Sequence, residues 1–229
     1  MAIEKEIKKR ITEEWLSSVP QLSAFAQNKL YRVVGCSIIG VELIKLPHSE
    51  EYRPLFVCYP LWKDDVKKCL DAPFIYFAPK NNKGLQFDIP YLKHSTYFNE
   101  AIECLKKQVS ILFAENVSLE TLFSLIDNVL ENDITCKFNS GKVASLFEFK
   151  FYACLYTGDQ IQVQYVFNQI EQVSKNWNMK MFEIWYGKFD TWLEELKKKQ
   201  DNRDEFLKQI EANKQDMKIA KLQYSELIA

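Results

Sequence analysis

Residues 30–61 read LYRVVGCSIIGVELIKLPHSEEYRPLFVCYPL, and this stretch decides the fold class. Residues 30–46 are rich in β-branched side chains and stop at Pro47-His48-Ser49. Such side chains favour extended backbone, where they pack well on a pleated surface. The expectation is one long strand kinked at Gly35 or Gly40, since an isolated glycine in a strand often marks a bulge. Residues 53–61 form a second strand, which Pro54 and Pro60 confine to an edge or shorten to Leu55–Tyr59. The two should pair antiparallel through a turn at Pro47–Tyr52, because so short a link leaves no room for the crossover that parallel strands need.

The same signals continue outward. Residues 73–78 (PFIYFA) and 85–91 (LQFDIPY) are a third and a fourth strand around the turn Asn81-Asn82-Lys83-Gly84. Upstream, Ile3, Ile7, Ile11 and Trp15 recur every four residues with charged residues between them, and Pro20 closes the segment. That is an amphipathic helix.

All seven prolines lie between Pro20 and Pro90, and residues 91–229 contain none. Proline inside a helix removes a hydrogen bond and clashes with the preceding turn, so the back of the chain is free to be helical. Phe98, Ile102, Leu105, Val109 and Leu112 mark one helix face. Ser118 caps the next helix, which runs through Leu122, Ile126 and Val129. Residues 142–156 are apolar nearly all round, which suits a central helix ended by Gly158, with Asp159 capping its successor. Residues 161–167 also alternate as a strand would, but Val163, Phe167 and Ile170 keep helical spacing.

Phe182, Trp185, Phe189, Trp192 and Leu196 alternate spacings of three and four. The same phase continues at Phe206, Ile210, Met217, Ala220, Tyr224 and Leu227, with polar Lys199, Arg203 and Asn213 at intermediate seam positions. The pattern predicts helix over 179–226, with 182–196 packed on the body and 204–226 projecting or pairing with another helix. One long charged helix and a hairpin folding back near Asp201-Asn202 both satisfy it. The fold class is α+β: an N-terminal helix, a four-stranded antiparallel sheet, then a helical C-terminal half ending in that long charged helix or helical hairpin. This divides the chain into 1–95 and 96–229, with 200–229 as the part able to project.

Composition narrows the function. The 30 basic and 31 acidic residues interleave, so the basic stripe that nucleic acid or an anionic membrane would need is missing from the sequence. No run approaches the roughly 20 apolar residues that span a bilayer. Residues 1–20 lack the unbroken apolar run of a signal peptide, and the six cysteines show no paired spacing. They read as free thiols in a reducing compartment, and a cytoplasmic location is expected.

Catalytic motifs are weak. Of the two histidines, His48 sits in a turn and His94 reads as a surface or capping residue just before a helix. Neither has the partner spacing of a metal site. A Ser-His-Asp constellation is spatial rather than sequential, but the GxSxG elbow is missing. Ser140-Gly141-Lys142 resembles the end of a phosphate loop without its upstream glycine, and Val143 stands where Ser or Thr is needed. Glu148-Phe149-Lys150 has the Glu-x-Lys form of metal-dependent nucleases, but it lies in an apolar helix with no partner Asp on a preceding strand. Asp64-Asp65 reads as a solvated turn or helix start. Trp177, Trp185, Phe189 and Trp192 keep helical periodicity and read as packing knobs rather than base-stacking platforms.

No residue is therefore assigned to catalysis, a metal or a cofactor. What remains is a protein-binding reading. The partner is another protein, or a second copy, engaged through the C-terminal helix at Phe206, Ile210, Met217 and Tyr224. An enzyme whose site forms only in three dimensions is the alternative, and a nucleic-acid binder with a folded basic face is the next.

The succession GVELIKLP (40–47), YRPLFVCYPLW (52–62), IPYLKH (89–94) and FNEAIECLKKQ (98–108) resembles uncharacterised bacterial proteins with a strand-rich front and a helical back. Some of these are immunity proteins that neutralise polymorphic toxins. The resemblance covers roughly residues 25–115 and carries over no catalytic residue. It implies a non-enzymatic inhibitor; the charged tail lies outside it.

Overall fold

The computed structural model describes residues 2–229, with side chains from Lys5 onward, so Ile3 of the first helical stripe lies outside the described side chains. Helix α1 (Ala2–Ser18) buries Ile11 and Trp15. The chain then lays down β1 (Ser23–Ala26), β2 (Lys29–Val34), β3 (Ser37–Lys45) and β4 (Glu51–Pro60). A short α2 (Val66–Cys69) leads to β5 (Ile75–Phe77) and β6 (Ile89–Pro90). Five strands lie in the order β1-β2-β3-β4-β5, all antiparallel, and β6 adds antiparallel to β4.

Residues 30–46 are two strands, not one kinked strand. Val34 pairs with Ser37 across the two-residue turn Gly35-Cys36, and Gly35 has φ +54°. Glycine at the first central position suits a tight hairpin turn whose twist matches its strands. Gly40 marks no kink. It faces Tyr31, and a Cβ there would meet the Leu30 carbonyl oxygen and the Tyr31 ring.

The pairing of β3 with β4 follows the expected register, from Ser37 opposite Pro60 to Lys45 opposite Tyr52. However, β4 is internal rather than an edge. Its outer side is covered in two pieces: β6 pairs with Glu51 and Tyr52, and β5 pairs with Phe56–Cys58. Pro54 and Pro60 fall outside both pieces, where the missing N–H costs the sheet nothing. The fourth expected strand shrinks to β6 and one bridge between Lys80 and Gln86.

The back half comprises α3 (His94–Gln108), β7 (Val117–Ser118), α4 (Leu119–Asn132), α5 (Ser140–Thr157), α6 (Gln160–Val173), α7 (Met179–Tyr186), α8 (Phe189–Asp201) and α9 (Arg203–Lys214). Ser118 accepts from the Thr121 amide, Asp159 from the Gln162 amide, and Gly158 ends α5 at φ +84°. Helix α5 is central: Phe149, Phe151 and Cys154 are fully buried, and Trp62 from the sheet layer stacks on Phe149 and packs at a tilt against Tyr152.

The tail departs from the expected helix over 179–226. Gly187, at φ +71°, separates α7 from α8, and the chain turns again at Asn202. Beyond α9 it becomes β8 (Gln223–Ser225) and β9 (Leu227–Ile228). Strand β8 runs parallel to β2 and extends the sheet to seven strands; β9 runs parallel to β7. Strand β1 covers residues 29–31 of β2 and β8 covers residues 32–34, so the two share one edge end to end.

Residues 200–229 therefore fold onto the body instead of projecting. Phe206, Ile210, Ile219, Leu222 and Leu227 are buried. Trp192 and Leu196 of α8 and Phe206 and Ile210 of α9 are the apolar positions of the tail pattern that these two helices bury. Arg203, a polar seam position, donates to the Leu155 and Tyr156 carbonyls at 2.6 and 2.8 Å, satisfying the end of α5. Asn213, another, is buried and donates to the Leu61 and Lys63 carbonyls at 2.8 and 2.7 Å. One hydrophobic core runs through both halves. All six cysteines are free thiols; Cys136 is half-buried and the others are buried.

Candidate protein-interaction surface

Helix α7 begins where Asn178 caps it, accepting from the Met181 amide, while the Asn178 amide donates to Ser140 Oγ at 2.8 Å. That bond ties the start of α7 to the start of α5. Phe182 and Tyr186, one turn apart, face inward and stack at 5.2 Å between ring centroids. Trp177, Phe189 and Trp192 complete an aromatic cluster around Phe182.

Trp185 faces the other way and is 68% exposed, although its spacing marked it as a packing knob. Its ring lies on the first turn of α5, where a Cβ on Gly141 would stand 2.7 Å from Trp185 Cδ1. Around the same turn stand Phe138, 74% exposed, and Ile134; Ile184 is exposed beside Trp185 on α7. Tyr76 joins them through Lys142, whose ammonium lies 5.1 Å from the Tyr76 ring centroid and 2.5 Å from Asp133 Oδ2. Burial pushes the Asp133 carboxyl up, but hydrogen bonds from Lys142 and Thr135 outweigh it and hold the group below its usual range. Exposed apolar side chains thus stand on the segments that flank the first turn of α5, near the Lys142–Asp133 pair.

The four contact residues read from the tail do not share a surface. Phe206 and Ile210 are interior, with Phe206 stacked on Tyr152 at 5.2 Å. Met217 and Tyr224 are exposed beyond the end of α9, where the Tyr224 hydroxyl donates to the Lys214 carbonyl.

The sequence motifs are structural. Asn139 caps Ser140-Gly141-Lys142 by accepting from the Lys142 amide. Glu148 and Lys150 are both buried and turn to different partners. Glu148 lies 3.7 Å from Lys63, while Lys150 reaches Asp127 at 2.5 Å and sits over the Phe123 ring. Asp65 caps α2 and Asp64 pairs with Lys68. Among the described residues, no group of three or more His, Cys, Asp and Glu is placed to hold a metal ion. Nor is any helix among them long and apolar enough to cross a membrane.

His94 is not at the surface. It opens α3 and is 3% exposed. Trp15 Nε1 donates to the Tyr52 hydroxyl at 3.1 Å, and that hydroxyl lies 2.7 Å from His94 Nδ1. His94 Nε2 in turn lies 2.8 Å from Glu14 Oε2. The Glu14 carboxylate can only accept, so the neutral imidazole carries its proton on Nε2, and Nδ1 accepts from the Tyr52 hydroxyl. Burial lowers the His94 pKa, against the opposing pull of Glu14. Tyr52 is fully buried, and this relay joins α1, β4 and α3. A second buried network has the same character: Glu42 accepts from Tyr31 and Tyr59 and pairs with Lys29 at 3.1 Å.

Trp185 left one signal in the sequence. Gly187 follows it by two residues and ends α7, so a heptad could not run through and Trp185 had no obligation to the seam. No protein-family model matches the chain, and no curated protein or solved structure matches it.

Proposed function

We propose that this chain is a non-enzymatic protein-binding module whose partner is a toxin, neutralised in the manner of an immunity-type inhibitor. Trp185 carries the reading. Scattered apolar residues on a surface need no explanation, but a contiguous group of large ones marks an interaction site. Exposed tryptophan is the residue type that most often dominates binding energy. Here the indole is already seated on Gly141, so little side-chain freedom remains to be lost on binding. The Lys142–Asp133 pair supplies a polar rim. The chemically versatile groups support the same view, since His94, Glu42, Glu148 and Lys150 are all buried with fixed partners. The toxin as partner class comes from the resemblance over residues 25–115.

The test uses affinity capture from the native host with the wild-type chain and with Trp185→Ala and Phe138→Ala, each checked for unchanged thermal unfolding. A partner held by the wild type should bind at least about thirty-fold more weakly to Trp185→Ala, the loss expected at a hot spot. Expressed alone, that partner should arrest growth, and co-expression of the wild-type chain should relieve the arrest. Equal capture by both variants would refute the surface, and a partner harmless on its own would refute the toxin.

A further inference from the structure

Strand β1 pairs with β2 on one side only, among the described residues. Such an edge keeps a row of N–H and C=O groups unpaired within the sheet and can template another strand. Proteins usually blunt an edge with charge, proline or a cover. Residues 23–26, SAFA, carry neither charge nor proline, and the outward Ala24 and Ala26 are exposed. A register shift between Ala24 and Ala26 bends the strand and keeps the template short.

A groove of about 420 Å³ lies between α1 and this edge, bounded by Lys5, Lys9 and Leu16 on the helix and by Ala24 and Ala26 on the strand. It abuts a smaller cavity of about 200 Å³ that reaches Tyr91. Thr12 and Gln27 line both, and the hydrogen bond from the Thr12 hydroxyl to the Gln27 carbonyl divides them. Lys5 to Leu16 is three turns of helix, about 16 Å, which accommodates about five residues of extended chain. A groove between a helix and an edge strand is the setting in which an extended peptide joins a sheet.

Charge selects the occupant. Among the described residues, the charged side chains that line the groove are Lys5, Lys9 and Glu13, two cations against one carboxylate. Glu13 stands 3.7 Å from Lys9 in a well-exposed pair, which an incoming carboxylate can replace at little cost. Lys45 is held by Glu50 at the far end. We infer that the β1 edge takes up an extended acidic segment of another protein as an added strand, with its carboxylates toward Lys5 and Lys9 and a small apolar side chain over Leu16. The site shares no residue with the Trp185 surface, so either can fail alone.

The probe is a phage-displayed library of random twelve-residue peptides selected on the full chain. Selected peptides should be rich in Asp and Glu alternating with β-branched residues. A synthetic copy should slow amide hydrogen exchange at residues 23–26 and bind more weakly as salt rises. Lys5→Glu with Lys9→Glu, both at exposed positions, should weaken it at least tenfold with unchanged circular dichroism, and Trp185→Ala should leave it unchanged. Four results would overturn the inference: no enrichment, enriched peptides without acidic bias, binding indifferent to the two charge reversals, or unprotected β1 amides. Self-association of the chain that Ala24→Lys abolishes would also overturn it, by assigning the edge to a second copy.

Discussion

Leu227 occupies the space that a side chain on Gly35 would need: a Cβ built on the glycine falls 2.5 Å from the Leu227 Cβ. The two-residue turn between β2 and β3 is thus closed over by a residue almost two hundred positions later. Gly35 also holds φ +54°, which costs an L-residue about 1–2 kcal/mol. Gly35→Ala should therefore destabilise the protein by about 2–4 kcal/mol, strain and overpacking together. Urea unfolding measures it, and an unchanged midpoint would show that the turn and β9 can both give way.

Removal of residues 222–229 should cost far more than a partner-binding appendage would. It deletes buried Leu222 and Leu227, each worth about 1.5–3 kcal/mol when fully enclosed. It also strips Arg32, 1% exposed, of its bond to Ser225 Oγ, leaving the Ile111 and Ala114 carbonyls as its acceptors. Loss of cooperative thermal unfolding is the expected result. A truncated chain that melts like the full one would sink this account.

Much of this was legible in the sequence, and the exceptions share a cause. The β3–β4 pairing, the caps at Ser118 and Asp159, and the apolar girth of α5 are local signals, and local signals survive in a string of letters. The Gly35-Cys36 turn was also local, but its flanks alternate identically whether the chain runs on or doubles back. Strands β8 and β9 were not legible, because five residues carry no period of their own and become strands only against β2 and β7. Trp185 was hidden for a related reason: spacing cannot tell the inner face of a helix from the outer once Gly187 has cut the phase.

His94 makes stability depend on pH. Its folded pKa lies below the ordinary 6.5, chiefly through burial, so the unfolded chain binds the extra proton first as pH falls. Stability is then complete above about pH 6.5 and declines as pH drops toward the folded pKa. The midpoint for urea unfolding should fall between pH 7 and pH 5 in the wild type, and less steeply in His94→Gln. Parallel profiles for the two proteins would remove His94 as the source.

Asn213→Ala should cost about 1–3 kcal/mol, because it leaves the Leu61 and Lys63 carbonyls without their donor. Asn213→Asp should cost at least as much, since a carboxylate would face the same two oxygens with no hydrogen to offer. Differential scanning calorimetry of the pair separates this from a simple volume effect, which would penalise alanine alone.

Trp192→Ala and Trp185→Ala form the sharpest contrast. Trp192 sits inside the aromatic cluster and should cost about 3–5 kcal/mol. Trp185 stands outside it and should change stability by less than about 1 kcal/mol. Equal losses would mean that Trp185 belongs to the core.

The shared edge of β2 also bears on how the chain is made. Residues 29–31 can find β1 as soon as both leave the ribosome, whereas residues 32–34 must wait for β8. Arg32 and Ser225 are 193 residues apart, and at roughly 5–20 residues per second that gap lasts about ten seconds or more. Throughout it, the nascent sheet offers an open half-edge, and the Arg32 guanidinium behind it has only the Ile111 and Ala114 carbonyls to bond once those residues have emerged. A holdase that shields this half-edge during translation should raise the soluble yield, and transplanting residues 222–228 ahead of α1 should shorten the exposure it guards against.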